Sequence, residues 1–124
     1  MLSSVVFMLM GSLAAAGGGA AAGDAAACAS LKTLSLPNTT ITAADALPAG
    51  PFTPPAAPGA GGPPPALQTL PARCRVAAVL KPSADSNIEM ELWLPENWNG
   101  KFQMVGGGGW AGVISYPAMA AAVQ

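Results

Sequence analysis

Seven consecutive residues carry the clearest chemical potential in this chain: Gly106-Gly107-Gly108-Gly109-Trp110-Ala111-Gly112. Glycine permits positive φ and close backbone approach, so such a run can aim bare N–H groups at an anion. What accompanies the run is just as informative. The 124 residues include no histidine, so no imidazole is at hand as a general base. Ser83 and Ser86 fall in a turn cluster, and Ser115 stands where it would cap a following helix. None of these serines has the strand-to-helix setting that exposes a nucleophile. The chemistry predicted is anion stabilisation by backbone donors, as one part of an active site whose remainder lies elsewhere.

The elements that must position the loop can be read on either side of it. Lys101-Phe102-Gln103-Met104-Val105 is apolar enough to be a strand delivering the loop, and Ser115-Tyr116-Pro117-Ala118-Met119-Ala120-Ala121-Ala122-Val123 opens a helix. Upstream, Arg73-Cys74-Arg75-Val76-Ala77-Ala78-Val79-Leu80-Lys81 predicts a strand closed by Pro82, and Ser83-Ala84-Asp85-Ser86-Asn87 a turn. Ile88-Glu89-Met90-Glu91-Leu92-Trp93-Leu94 alternates, with Ile88, Met90, Leu92 and Leu94 on one side and Glu89, Glu91 and Trp93 on the other. Asn99-Gly100 turns the chain into the next strand. Leu36-Pro37-Asn38-Thr39-Thr40-Ile41-Thr42 predicts a turn and a short edge strand, and Asn38-Thr39-Thr40 also forms a glycosylation sequon. Residues 48–66 are mainly Pro, Gly and Ala, which deny both helix and ladder bonds and predict a loop.

Three functions fit the glycine run. It can supply oxyanion-hole donors between a third strand and a first helix, where one lost donor costs about 3 kcal/mol in the barrier. It can be a dinucleotide fingerprint, Gly106-x-Gly108-x-x-Ala111, although the acidic ribose contact would then lie past Gln124. It can also be a flexible connection, against which the large aromatic Trp110 argues. As donors, Gly108, Gly109 and Trp110 are favoured, because they lie nearest the helix start. The Trp110 ring can wall a pocket or pack behind the loop.

Composition narrows the partners. Net charge is −1 and the cations are scattered singly, so nothing would neutralise a row of phosphates, and nucleic acid is excluded. Residues 1–16 hold a short apolar centre followed by small residues, the layout of a signal peptide with cleavage between about Ala16 and Ala27. The apolar run is shorter than the roughly 20 residues that span a bilayer, so no membrane association is expected once the signal is removed. Localisation is then secreted or periplasmic. Cys28 and Cys74 would pair in that compartment, closing a loop worth on the order of 4 kcal/mol. Two separate buried thiols, or a lipid on Cys28, are the alternatives.

A resemblance adds to this reading. Cys28-x-x-Leu31, Leu36-Pro37-Asn38-Thr39-Thr40-Ile41-Thr42, Leu70-Pro71-Ala72-x-Cys74-Arg75-Val76, Trp93-Leu94-Pro95, Trp98-Asn99-Gly100-Lys101-Phe102 and Gly108-Gly109-Trp110-Ala111-Gly112 together resemble the N-terminal part of the tannase and feruloyl esterase family. Its usual Gly-Asn-Gly-Gly-Trp has Gly107 here in place of the asparagine, and residues 53–66 look like an extended loop.

Three predicted strands joined by short turns, then a glycine loop and a helix, already predict an α/β class: the N-terminal part of an α/β-hydrolase fold, with antiparallel lead-in strands, a glycine-rich oxyanion loop and a first helix. The resemblance implies the same. Composition and periodicity divide the chain into a signal over 1–27, a lead-in over 28–47, a loop over 48–69 and the start of the catalytic domain over 70–124, and the resemblance fits that division. The resemblance implies an exported serine esterase acting on feruloyl or galloyl esters, either small molecules or polysaccharide-linked, through an acyl-serine. The triad and a lid domain with structural calcium are expected beyond Gln124. The 124 residues are therefore expected to be inactive alone, to hold no cofactor or metal, and to leave apolar edges uncovered. The competing expectation is a secreted, non-enzymatic carbohydrate-binding module stacking Trp93, Trp98 and Trp110 on sugar rings.

Overall fold

A computed structural model describes residues 19–56, 65–107 and 112–124. The described part is a small α/β domain with antiparallel sheets and two helices. Its elements, in chain order, are α1 (Gly19–Ser30), β1 (Thr39–Leu47), β2 (Gly50–Phe52), β3 (Leu67–Leu70), β4 (Arg73–Leu80), β5 (Ile88–Pro95) and α2 (Tyr116–Ala122). A 3-10 turn at Leu31–Thr33 continues α1.

The main sheet has the order β1-β4-β5, with every neighbour antiparallel. β1 begins at the turn predicted over Pro37-Asn38, where Asn38 takes a positive φ of 54°. It runs further than the short edge strand expected, because it pairs β4 from Thr39 opposite Leu80 to Leu47 opposite Arg73. β4 then pairs β5 without a break, from Arg73 opposite Pro95 to Leu80 opposite Ile88. Side chains alternate across a sheet, so this register gives two unlike faces. Cys74, Val76, Ala78 and Leu80 share one with Leu94, Leu92, Met90 and Ile88; Arg73 and Arg75 share the other with Trp93 and Glu91.

The second sheet is a departure from the sequence reading. Inside the segment predicted as loop, β2 and β3 form an antiparallel ribbon, Gly50 opposite Leu70 and Phe52 opposite Leu67. The register shifts between Gly50 and Phe52, at Pro51, which is how a proline without an N–H is tolerated in a ladder. The ribbon gives the Phe52 ring a fixed place over the main sheet. There Leu70, Trp93 and Ala120 form the buried cluster, packed around by Phe52, Leu67, Tyr116, Met119 and Val123.

A second departure concerns the strand expected at Lys101-Phe102-Gln103-Met104-Val105. These residues form no strand, and Phe102 and Met104 are 72% and 82% exposed. A strand exists through its ladder bonds, and among the described residues nothing pairs with this segment. The third place in the main sheet belongs to β1 instead.

The opposite face is covered from its Cys74 end to the middle of β4, where Ala44, Val76 and Ala78 are buried. Cys28 on α1 is joined to Cys74 on β4 by a disulfide, with the Cα atoms 5.6 Å apart. Ala27, Cys28 and Leu31 line a cleft of about 310 Å³ with Ala46, Cys74 and Leu94. Beyond that end, Ile88 and Met90 stand exposed.

Candidate functional site

The glycine run is described at its two stems. Gly106 and Gly107 end the extended segment, and Gly112 leads into α2 with a φ of 59°, a left-handed conformation in which glycine is at ease. The donors proposed from sequence, Gly108, Gly109 and Trp110, lie outside the described residues, as does Ala111. The stems approach each other closely. A Cβ on Gly107 would lie 2.9 Å from the Val113 carbonyl oxygen and 3.2 Å from its nitrogen. Backbone meets backbone there, and a side chain at 107 would require one stem to move.

The helix after the loop is short, and its start is not capped as expected. Ser115 occupies the N-cap position but its hydroxyl makes no capping bond; Pro117 stands in the first turn, where a missing N–H costs nothing. What fixes this end is the next residue. The Tyr116 hydroxyl donates to Glu91 Oε1 at 2.9 Å, and the Tyr116 N–H donates to the Ile114 carbonyl at 3.1 Å.

Glu91 is the centre of a polar cluster that reading the sequence did not single out. Arg75 Nε donates to Glu91 Oε2 at 3.0 Å, and the Arg75 Nη2 donates to Oε1, forming a bidentate pair. The Trp93 indole N–H donates to Oε2 at 3.1 Å. With the Tyr116 hydroxyl, each carboxylate oxygen accepts two bonds, and the Glu91 side chain is 4% exposed. Such a group is viable away from water only because its bonds are filled. Asp45 lies at the edge, with its Oδ2 4.0 Å from Arg75 Nη1.

Arg73, two residues before Arg75 and on the same face, is handled differently. Its guanidinium lies 4.6 Å from the Trp93 ring centre and 5.1 Å from that of Phe52, between two π faces. Nη1 donates to the Pro71 carbonyl at 3.1 Å, while Nε is buried without a partner. Phe52 and Trp93 meet edge to face at 5.1 Å, and Tyr116 packs against both rings.

These surroundings move the titrations. The Tyr116 phenol is pushed up to about 12, first by burial and then by the bond it gives to Glu91. The bonds from Arg75 to Glu91 hold that guanidinium above its ordinary value. Burial, reinforced by the Arg75 charge, lowers Arg73.

Two further sequence readings can be placed. Ser83 and Ser86 are turn residues as read, their hydroxyls 2.6 Å apart on an exposed bend. Trp93 cannot stack on a sugar, since it is 6% exposed and sits in the core; this removes one of the three aromatics that a carbohydrate-binding surface required. Trp98 is 66% exposed, with its indole N–H on the Lys101 carbonyl at 2.8 Å. Among the described residues no group of His, Cys, Asp and Glu could hold a metal ion, and no helix is long and apolar enough to cross a membrane.

The Arg75–Glu91–Tyr116 cluster was partly signalled. Arg73, Arg75, Glu91 and Trp93 occupy the same parity on two predicted strands, so each pair shares a face. That the two faces coincide depends on the β4–β5 register, which parity alone leaves open.

Known proteins bear on this arrangement. The chain is 43% identical over 100 residues to an uncharacterized esterase of Xanthomonas campestris pv. campestris, covering 80% of this chain and 16% of that protein. It is 48% identical over 46 residues to a probable feruloyl esterase B-1 of Aspergillus terreus and 49% identical over 47 residues to feruloyl esterase C of Talaromyces stipitatus. Those matches cover 37% and 38% of this chain and 9% of each relative, so the chain spans a small part of the length of the proteins it resembles. No family model matches the chain, and no solved structure matches it. The resemblance to the tannase and feruloyl esterase family read from the sequence is borne out by these relatives.

Proposed function

We propose that this chain is part of an exported serine carboxylic-ester hydrolase that acts on phenolic-acid esters, feruloyl or galloyl, through an acyl-serine intermediate. The observation that carries the reading is the 43% identity over 100 residues with a protein named as an esterase. The feruloyl esterases among the relatives support the phenolic acyl group. Export is supported by the apolar N-terminal segment and by the Cys28–Cys74 disulfide, a bond that persists in oxidising compartments.

In this reading the backbone N–H groups of Gly108, Gly109 and Trp110 receive the negative oxygen of the tetrahedral intermediate. The Trp110 ring forms a wall of the acyl pocket, where an aromatic face suits a phenolic ring. The nucleophilic serine, its histidine and its acidic partner come from segments outside residues 1–124. So does the lid domain with its calcium, and no step here runs through a metal.

The coding sequence downstream of Gln124 tests the proposal. A Cys-Ser-x-Gly-Gly segment on a strand-to-helix turn supports it, and unrelated sequence overturns it. The 124 residues alone should release ferulate or gallate from the methyl esters no faster than buffer does, having no histidine. Turnover above that background would contradict the assignment of roles.

A further inference from the structure

The stems of the glycine loop are linked to the sheet by a continuous path of contacts. Glu91 accepts from the Tyr116 hydroxyl; the Tyr116 N–H bonds the Ile114 carbonyl; Val113 precedes Ile114; and the Val113 backbone lies against Gly107. We propose that Glu91, held by Arg75 and the Trp93 indole, is the positioning residue for the stems of the glycine loop, clamping the helix-side stem against the upstream stem at Gly107. The significance of the loop for catalysis rests on the esterase reading above, but the clamp itself does not.

Three features of the geometry argue for this role. First, the carboxylate is fixed before Tyr116 reaches it. Arg75 and Trp93 are on the β4–β5 ladder itself and bind it from within the sheet, so only the Tyr116 bond joins it to the loop side. Second, α2 has no side-chain cap and is seven residues long, so its own hydrogen bonds do little to hold its first turn. The phenol is anchored instead, among Phe52, Trp93 and Glu91. Third, a loop between stems already in contact has had its closure entropy met before any ligand arrives. Fixed stems are what any donors carried between them need if they are to meet a developing charge with little reorganisation.

The test uses the 15N-labelled chain and three substitutions. Its readouts are the amide resonances of Gly107, Gly112, Val113 and Ile114 and the ultraviolet titration of Tyr116, the single tyrosine. Glu91→Gln should move all four amides while those of β1 and β4 away from the cluster stay in place. It should also lower the phenol midpoint from about 12, leaving the part of the rise that burial causes. Tyr116→Phe removes one bond only, so it decides the matter if Glu91→Gln fails to fold; it should move the same four amides. Gly107→Ala should open the neck, moving the amides of 107 and 113 while the phenol midpoint stays near about 12. Unmoved loop amides in folded Tyr116→Phe, or in folded Glu91→Gln, would overturn the clamp. Ester hydrolysis is not among the readouts, so failure of the esterase reading and failure of the clamp are seen separately.

Discussion

Along β5 the two faces of one strand receive opposite treatment. Glu91 and Trp93 point into a cluster where every polar atom of the carboxylate is bonded and the indole is buried. Ile88, Met90 and Leu94, one residue out of phase, are 51%, 39% and 41% exposed. Hydrophobicity alone would bury the second set. The first set wins among the described residues because Trp93 brings a large apolar area, and its one polar atom has a partner in Glu91. The β2–β3 ribbon and α2 then supply Phe52, Leu67, Met119 and Val123 to cover that face. The aliphatic face is covered towards the Cys74 end, where α1 packs and Ala44, Val76 and Ala78 are buried, and open at the outer residues of β5. A polar-aromatic face can thus hold the large buried side chains of a sheet while the long aliphatic side chains of β5 on the other face stand open.

Breaking the covered face should have the largest effect. Trp93→Ala removes the ring that Phe52, Tyr116 and Arg73 pack on, and should destabilise by about 4–5 kcal/mol in urea unfolding. Losing the Cys28–Cys74 bridge frees α1 from the aliphatic face. The double substitution to serine should cost about 3–4 kcal/mol, with mass spectrometry of the parent chain finding the two peptides linked. Glu91→Ala leaves Arg75 only the 4.0 Å contact with the exposed Asp45, and the Trp93 indole and Tyr116 hydroxyl lose their acceptor; it should cost about 3 kcal/mol, read the same way. At the small end, Ile88→Ser on the open face should change stability by no more than about 0.5 kcal/mol. A large loss there would mean that the aliphatic face is packed after all.

Alkali offers a gentler probe of the same contrast. The Tyr116 phenol is raised from 10.0 to about 12 in the folded chain, so the folded state holds its proton more tightly than the unfolded state does. The stability this contributes is fully present below pH 10 and is lost as pH rises through about 12. Stability followed across that window should fall, and Tyr116→Phe should flatten the fall; an equal fall in both would place its origin elsewhere.

The sequence was most legible where one strand carried its own evidence. Pro82 and the alternation from Ile88 to Leu94 marked β4 and β5, Pro37-Asn38 marked the start of β1, and Ser115 with Pro117 marked α2. It was least legible where structure depends on a partner. Phe52 and Leu67 are separated by the proline-rich stretch, and nothing local says that their flanks meet as a ribbon. Lys101 to Val105 has the composition of a strand, but a strand needs a ladder, and among the described residues it finds none. The Arg75–Glu91 bond needs the β4–β5 register, in which Arg75 stands opposite Trp93 and Glu91 opposite Ala77. The glycine run could be read as a candidate anion cradle because glycine's backbone freedom is intrinsic. The contacts that run from its stems to Tyr116 depend on the helix being in place.

The role of the loop is what the account most depends on, and one measurement addresses it directly. In the full-length protein, Gly109→Pro removes a backbone donor from the run. With a feruloyl ester as substrate, kcat should fall by about a hundredfold or more while KM and the thermal midpoint stay near wild type. A folded Gly109→Pro enzyme that retains the parent kcat would show that the glycine loop is not the oxyanion hole.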